Sequence, residues 1–172
     1  MNRNFYFVRS AAMAWMGLML IFFHSCSDTK QPDMARKTKD LAAPDFALKN
    51  LSGQNFKLSS QKGKPALLIF ITTWCPTCRS EIPHYKNIYE TFGKRGLEVA
   101  MIDIQESRET VSRFTSKHQI PFTILLDERG DVAGSYGIVG VPAMVLIDRD
   151  GNVLSREYLA IDMLLETTLG KK

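Results

Sequence analysis

An apolar, β-rich run from Pro65 to Thr72 leads through Thr73 directly into Trp74-Cys75-Pro76-Thr77-Cys78, and this junction restricts the fold more than any other stretch of the chain. Beyond it, Ile82, Tyr85, Ile88, Tyr89 and Phe92 recur at three- and four-residue intervals, the stripe of a helix packed on one face. The cysteine pair should therefore lie where a buried strand hands over to a helix. Two thiols separated by two residues can close a disulfide within one turn of backbone and open it again. At the start of a helix, unpaired N–H groups and the positive end of the dipole favour a thiolate over a thiol. Cys75 then reads as the attacking nucleophile. Cys78, one turn on and facing inward, reads as the thiol that closes the disulfide and ejects a bound partner.

Simpler readings of the pair are weaker. Half of a zinc site would need a second ligand pair, but the only other cysteine is Cys26, far upstream, and His24, His84 and His118 lack zinc-finger spacing. No metal site is expected. A purely structural disulfide with a two-residue loop would constrain the unfolded chain little.

The 172 residues, 45% hydrophobic and 23% charged, suffice for one domain with a sizeable core. The first 26 are of another kind. Arg3 and Arg9 precede an apolar stretch, Ser10 to Phe23, followed by His24-Ser25-Cys26. This is the layout of an export signal, and about 13 apolar residues fall short of the ~20 of a spanning helix. The stretch resembles a bacterial lipoprotein signal, in which Cys26 would become the lipid-bearing first residue; Phe23 and His24 depart from that pattern. Ordinary cleavage, a retained anchor and a coincidental buried cysteine are the alternatives. The expectation is a leader over residues 1–26, a polar flexible tether over 27–41 and a folded domain over 42–172, extracytoplasmic and held at a membrane by lipidated Cys26.

Loss of Arg3 and Arg9 from the 22 basic residues leaves 20 against 18 acidic ones, a net +2. With no Lys/Arg cluster, nucleic-acid binding has no support. Lys171-Lys172 reads as a solvated end.

Within the domain, Phe46 to Leu48 and Phe56 to Leu58 flank a turn-rich segment and predict an N-terminal β-hairpin. The helix after the thiols should run from Pro76 to Phe92, kinked at Pro83 and ended by Gly93 or Gly96. Leu97 to Ile104 reads as a second buried strand, Ser107 as the cap of a helix reaching His118, and Pro121 to Leu126 as a third strand. A short helix around Val132 to Tyr136 follows. Asp148-Arg149-Asp150-Gly151-Asn152 joins strands Ala143 to Ile147 and Val153 to Glu157, and Ala160 to Leu169 closes the chain as an amphipathic helix. The sum is a mixed sheet covered on both faces, an α/β/α sandwich.

Three elements together carry a resemblance: Trp74 to Cys78 after a buried strand, Arg79-Ser80-Glu81-Ile82-Pro83 behind it, and Tyr136-Gly137-Ile138-Val139-Gly140-Val141-Pro142 leading into the strand from Ala143. From about Ala42 onward the chain resembles the thioredoxin-fold proteins of the TlpA/ResA-like, membrane-tethered thiol-disulfide oxidoreductase group. The resemblance implies a thioredoxin-like sandwich and a cis-proline at Pro142. It places Val141 beside the thiols, offering backbone hydrogen bonds to a docked strand. An ordinary trans proline opening an edge strand is the alternative. Glu81 matches a family acid that helps move thiol protons, which a buried carboxylate one turn from a thiol is suited to do; otherwise it is a surface glutamate. The acid that thioredoxins bury six residues before the first cysteine is replaced by Ile69, and Thr77 stands where the family often has proline. Trp74 reads as a lid and, with Pro76, as docking surface, a plain core tryptophan being the alternative for Trp74. His84 and His118 read as surface or satisfied histidines.

The implied activity is disulfide exchange with protein substrates through a mixed disulfide on Cys75, in the reductive direction, for example of the cytochrome c maturation type. It needs no cofactor beyond the Cys75–Cys78 pair. Protein thiol or disulfide substrates, a membrane-embedded thiol electron donor and a monomeric state are implied with it. Two other activities occur on the same fold. A peroxiredoxin-like peroxide reductase needs Thr and Pro set ahead of its cysteine, and Thr72 and Thr73 are too close to Cys75. A copper-carrying metallochaperone separates its cysteines by three residues rather than two and adds a distant histidine.

Overall fold

The computed structural model describes residues 42–156 and 158–169. Cys26, the leader over 1–26, the tether over 27–41, Glu157 and Lys171-Lys172 lie outside the described residues. Seven strands form one sheet in the order β2-β1-β5-β4-β3-β6-β7. They are β1 (Ala47–Asn50), β2 (Asn55–Lys57), β3 (Ala66–Ile71), β4 (Glu98–Ile104), β5 (Thr123–Asp127), β6 (Ala143–Ile147) and β7 (Val153–Ser155). β3, β4 and β5 are mutually parallel, whereas the β1–β2 and β6–β7 hairpins add antiparallel edges.

All six residues of β3 are buried, because it lies inside the sheet between parallel β4 and antiparallel β6 and both of its faces are packed over. Alternation sorts its side chains. Leu67, Ile69 and Ile71 pack with both cysteines, Ile82, Tyr85, Ile88 and Phe114, whereas Ala66, Leu68 and Phe70 pack with Phe46, Val132 and Tyr136. Two crossovers moving the same way, β3 to β4 and β4 to β5, put their helices on one face of the sheet. These are α1 (Pro76–Ser80) and α2 (Ile82–Phe92) in the first crossover, and α3 (Arg108–His118) in the second. α5 (Ile161–Leu169) joins them through Ile161 and Leu165, and α4 (Asp131–Ser135) lies on the other face through Val132 and Ala133. The α/β sandwich expected from the sequence is the architecture found.

Local signals act as read. Ser107 caps α3, its hydroxyl accepting the Thr110 N–H at 3.3 Å. Gly96, at φ 94°, closes a short 3₁₀ turn after α2, a left-handed position that glycine adopts without a Cβ penalty. In the β6–β7 turn, Asp148 accepts the N–H groups of Asp150 and Asn152 at 2.9 and 2.8 Å.

One expectation changes. The helix over Pro76 to Phe92 is interrupted at Glu81 rather than bent at Pro83. Pro83 has no N–H for the Arg79 carbonyl, and its ring crowds that oxygen, so the break falls just ahead of it. Glu81 closes α1 by giving its N–H to Thr77, while its own carbonyl accepts Tyr85 N–H, each at 3.1 Å.

Candidate active site

β3 ends at Ile71, and Thr72 to Trp74 carry the chain to Cys75, which is the N-cap of α1. Pro76 occupies the first helical position, where its missing N–H costs nothing and its fixed φ suits the turn. The Cys75 Sγ accepts the backbone N–H of Cys78 at 3.1 Å. That contact ties the first sulfur to the turn bearing the second. Both cysteines are free thiols; Cys75 is 5% exposed and Cys78 1%. Burial, reinforced by the Cys75 sulfur, toward which the Cys78 thiol donates, pushes the Cys78 thiol up to about 12. Cys78 therefore holds its proton until something nearby takes it.

The loop before β6 supplies the opposite wall. The Val141–Pro142 peptide is cis, as the resemblance implies, and the Val141 carbonyl lies 3.8 Å from the Cys75 sulfur. Trp74 is 68% exposed and so is no core tryptophan, and Val139, two residues before Val141, is fully exposed. Pro76 is exposed as well. The Cys75 sulfur thus sits in a shallow notch between two segments that each present an apolar side chain to solvent.

Glu81 is half-buried. Its carboxylate accepts the Tyr158 hydroxyl and faces His84 Nδ1 at 3.4 Å, and among the described residues it bonds neither thiol directly. His84 Nε2 reaches Asp162 at 3.0 Å, which makes His84 a satisfied surface histidine. His118 packs on the Phe114 ring at 4.6 Å, and partial burial lowers its pKa.

Two acids escaped the sequence reading. Glu106, on the loop after β4, accepts both the backbone N–H and the hydroxyl of Thr73, the latter at 2.6 Å. This clamp fixes the loop two residues before Cys75. Replacing Glu106 with Gln leaves one acceptor where there were two, and a urea melt should show a loss of about 1–2 kcal/mol. Asp103, on β4 in register with Ile71, is 1% exposed, and neither of its oxygens has a hydrogen-bond partner among the described residues. By alternation with Val99 and Met101 it points to the thiol-bearing face of the sheet. Burial, and then the Glu106 carboxylate, raise its pKa to about 8. An acid between Ile102 and Ile104, near the end of the buried run Leu97 to Ile104, was the available signal. Tyr158, 77 residues from Glu81 in the chain, gave none.

The AhpC/TSA family matches residues 40–156. Among curated proteins, the chain is 32% identical over 112 residues to a thiol-disulfide oxidoreductase ResA of Bacillus thuringiensis subsp. konkukian, covering 65% of each chain. It is 33% identical over 111 residues to a protein of the same name from Geobacillus thermodenitrificans, covering 64% of each. The match thus spans slightly less than two thirds of the length of these relatives. Among solved structures, one assigned as a thiol:disulfide interchange protein DsbE from Chlorobium tepidum superposes with TM-score 0.71 at 29% identity, over 77% of this chain and 98% of that one. A thiol:disulfide interchange protein from Bacteroides sp. gives 0.69 at 25% identity, over 77% and 91%. By family match, fold and relatives, the chain belongs to the AhpC/TSA family, among its thioredoxin-fold, TlpA/ResA-like members.

Proposed function

We propose that this protein is a thiol-disulfide oxidoreductase that exchanges disulfides with protein substrates through Cys75 and Cys78. One observation carries the reading: the Cys75 sulfur, capping a helix and accepting the Cys78 N–H, sits at the Val141 carbonyl while Cys78 waits buried one turn away. In the reductive direction the Cys75 thiolate attacks a substrate disulfide, and a substrate thiolate leaves. Cys78 then attacks the Cys75 sulfur, the second substrate sulfur departs with the electron pair, and a Cys75–Cys78 disulfide remains. Two electrons pass from the dithiol to the substrate. A membrane-embedded thiol donor restores the pair, Cys26 holds the domain at the extracytoplasmic face of a membrane, and the protein acts as a monomer. Cytochrome c maturation is one process whose substrates need such reduction.

Docking falls to Trp74, Pro76, Val141 and Pro142, with the Val141 backbone pairing an extended substrate segment. Trp74→Ala is expected to leave stability within about 0.5 kcal/mol. Its KM for a protein disulfide should rise roughly tenfold, with no change toward a small aromatic disulfide; steady-state kinetics on the two substrates check this.

Peroxide reduction is less well supported. Thr73, two residues before the cysteine, is committed to Glu106, and the Thr72 hydroxyl is buried. The test of the proposal is a trap. With Cys78→Ala expressed in cells, substrate proteins should accumulate as mixed disulfides on Cys75, visible by mass spectrometry and released by reductant. An empty trap together with fast, stoichiometric oxidation of the wild type by peroxide would replace this reading with the other.

A further inference from the structure

Resolution of the mixed disulfide requires Cys78 to lose a proton in a place that solvent does not reach. The route is written in α2 and in the segment before α5. Tyr85 is fully buried in the cluster that holds Cys78, with Tyr158 packed against it; its hydroxyl makes no short hydrogen bond in this dithiol form, and the Tyr158 hydroxyl is the polar group it is set to donate to. The groups that act on it are the Tyr158 hydroxyl, Cys78 and Glu81; together with burial, the largest influence, they push the phenol far above its ordinary range, so it stays protonated. Tyr158 is half-buried and already donates to Glu81 Oε2. Glu81 in turn faces His84, and His84 reaches the exposed Asp162.

We propose that the Tyr85 and Tyr158 hydroxyls relay the Cys78 proton to Glu81, with His84 and Asp162 as its exit to solvent. This deepens the oxidoreductase reading and rests on it. In the step, the Cys78 sulfur bonds to the Cys75 sulfur and the bond from Cys75 to the substrate breaks, its electron pair leaving on the substrate sulfur. At the same time the Cys78 proton passes to the Tyr85 oxygen, the Tyr85 proton to the Tyr158 oxygen, and the Tyr158 proton to Glu81. Each tyrosine ends as it began, so neither must ionise. A phenol held protonated is suited to pass a proton on and unsuited to act as a base. A pure packing role would be met by Phe at position 85. The buried hydroxyl is what needs a reason, since an unpaired one costs free energy.

The experiment uses the full-length chain in a Cys26→Ser background, so that only Cys75 and Cys78 react. Reduced protein is mixed with dithionitrobenzoate, and two pulses of thionitrobenzoate are followed: the first reports Cys75 attack, the second reports resolution by Cys78. In Tyr158→Phe and Tyr85→Phe the second pulse should slow about tenfold or more at neutral pH, with the first unchanged. The solvent deuterium isotope effect on the second pulse should change in both variants, and the double variant should be no slower than the slower single. A second pulse of wild-type speed in either variant overturns the relay, and so does equal slowing of both pulses, the mark of a merely structural effect. Tyr158→Phe, at the half-buried end, keeps the test decisive if Tyr85→Phe misfolds. Absence of the two pulses in the parent protein itself would instead remove the oxidoreductase reading.

Discussion

Cys75→Ser is expected to lower disulfide-exchange turnover by at least about a thousandfold, while the melting temperature stays close to that of the parent. A serine hydroxyl keeps the geometry of the α1 cap and can still accept the Cys78 N–H, so the fold has no reason to suffer. Serine has no thiolate equivalent at neutral pH, and the substitution removes the sulfur that lies at the Val141 carbonyl. Cys78 does not substitute for it: it is 1% exposed, and burial holds its thiol up to about 12. A single turnover assay with a protein disulfide, alongside a thermal melt, reads both halves of this expectation. Retained turnover in Cys75→Ser would end the assignment of the nucleophile.

Asp103→Asn should stabilise the protein by about 2 kcal/mol at pH 8, raising Tm by roughly 5–10 °C, and by much less at pH 5. The sign follows from where the proton is held. The Asp103 pKa is raised from 3.8 to about 8 in the folded chain, chiefly by burial and then by Glu106. Between those limits the native state binds a proton that the unfolded chain has released, so wild-type stability falls as pH rises through the window and levels off above it. Asn removes the ionisable group and gives the buried position an amide able to donate toward Glu106. The pH dependence between about 4 and 8 should flatten accordingly, which melts at a series of pH values would detect. Equal slopes in the two proteins would show that Asp103 titrates as an ordinary carboxylate.

Much of this molecule could be read before its structure, for reasons that differ from element to element. The strand-to-helix handover at Cys75 was legible because a run of six residues buried on both faces leaves an unbroken apolar signature, and because the cysteine spacing is local. The Ser107 cap and the Asp148 turn were legible because a single side chain meets a neighbour a few residues away. The partition of one helix into two was not, since Pro83 announces an irregularity without saying on which side the break will fall. The polar partners of the thiol site were read least well. Glu106 reaches Thr73 across 33 residues and Tyr158 reaches Glu81 across 77, so no periodicity in the chain brings them together. Tyr85 counted only as one more apolar contact on the α2 stripe; its ring fits that description and its hydroxyl does not.

The seat of Cys75 also bears on what it can serve. The preceding strand is sealed between β4 and β6, and the Glu106 clamp holds Thr73, two residues ahead of the sulfur. A sulfur mounted so firmly cannot go in search of a target. On the proposed function the work of adjusting shape would pass to the visiting molecule, and clients whose disulfides lie in loose, extended stretches would gain admission over those that keep them inside finished domains.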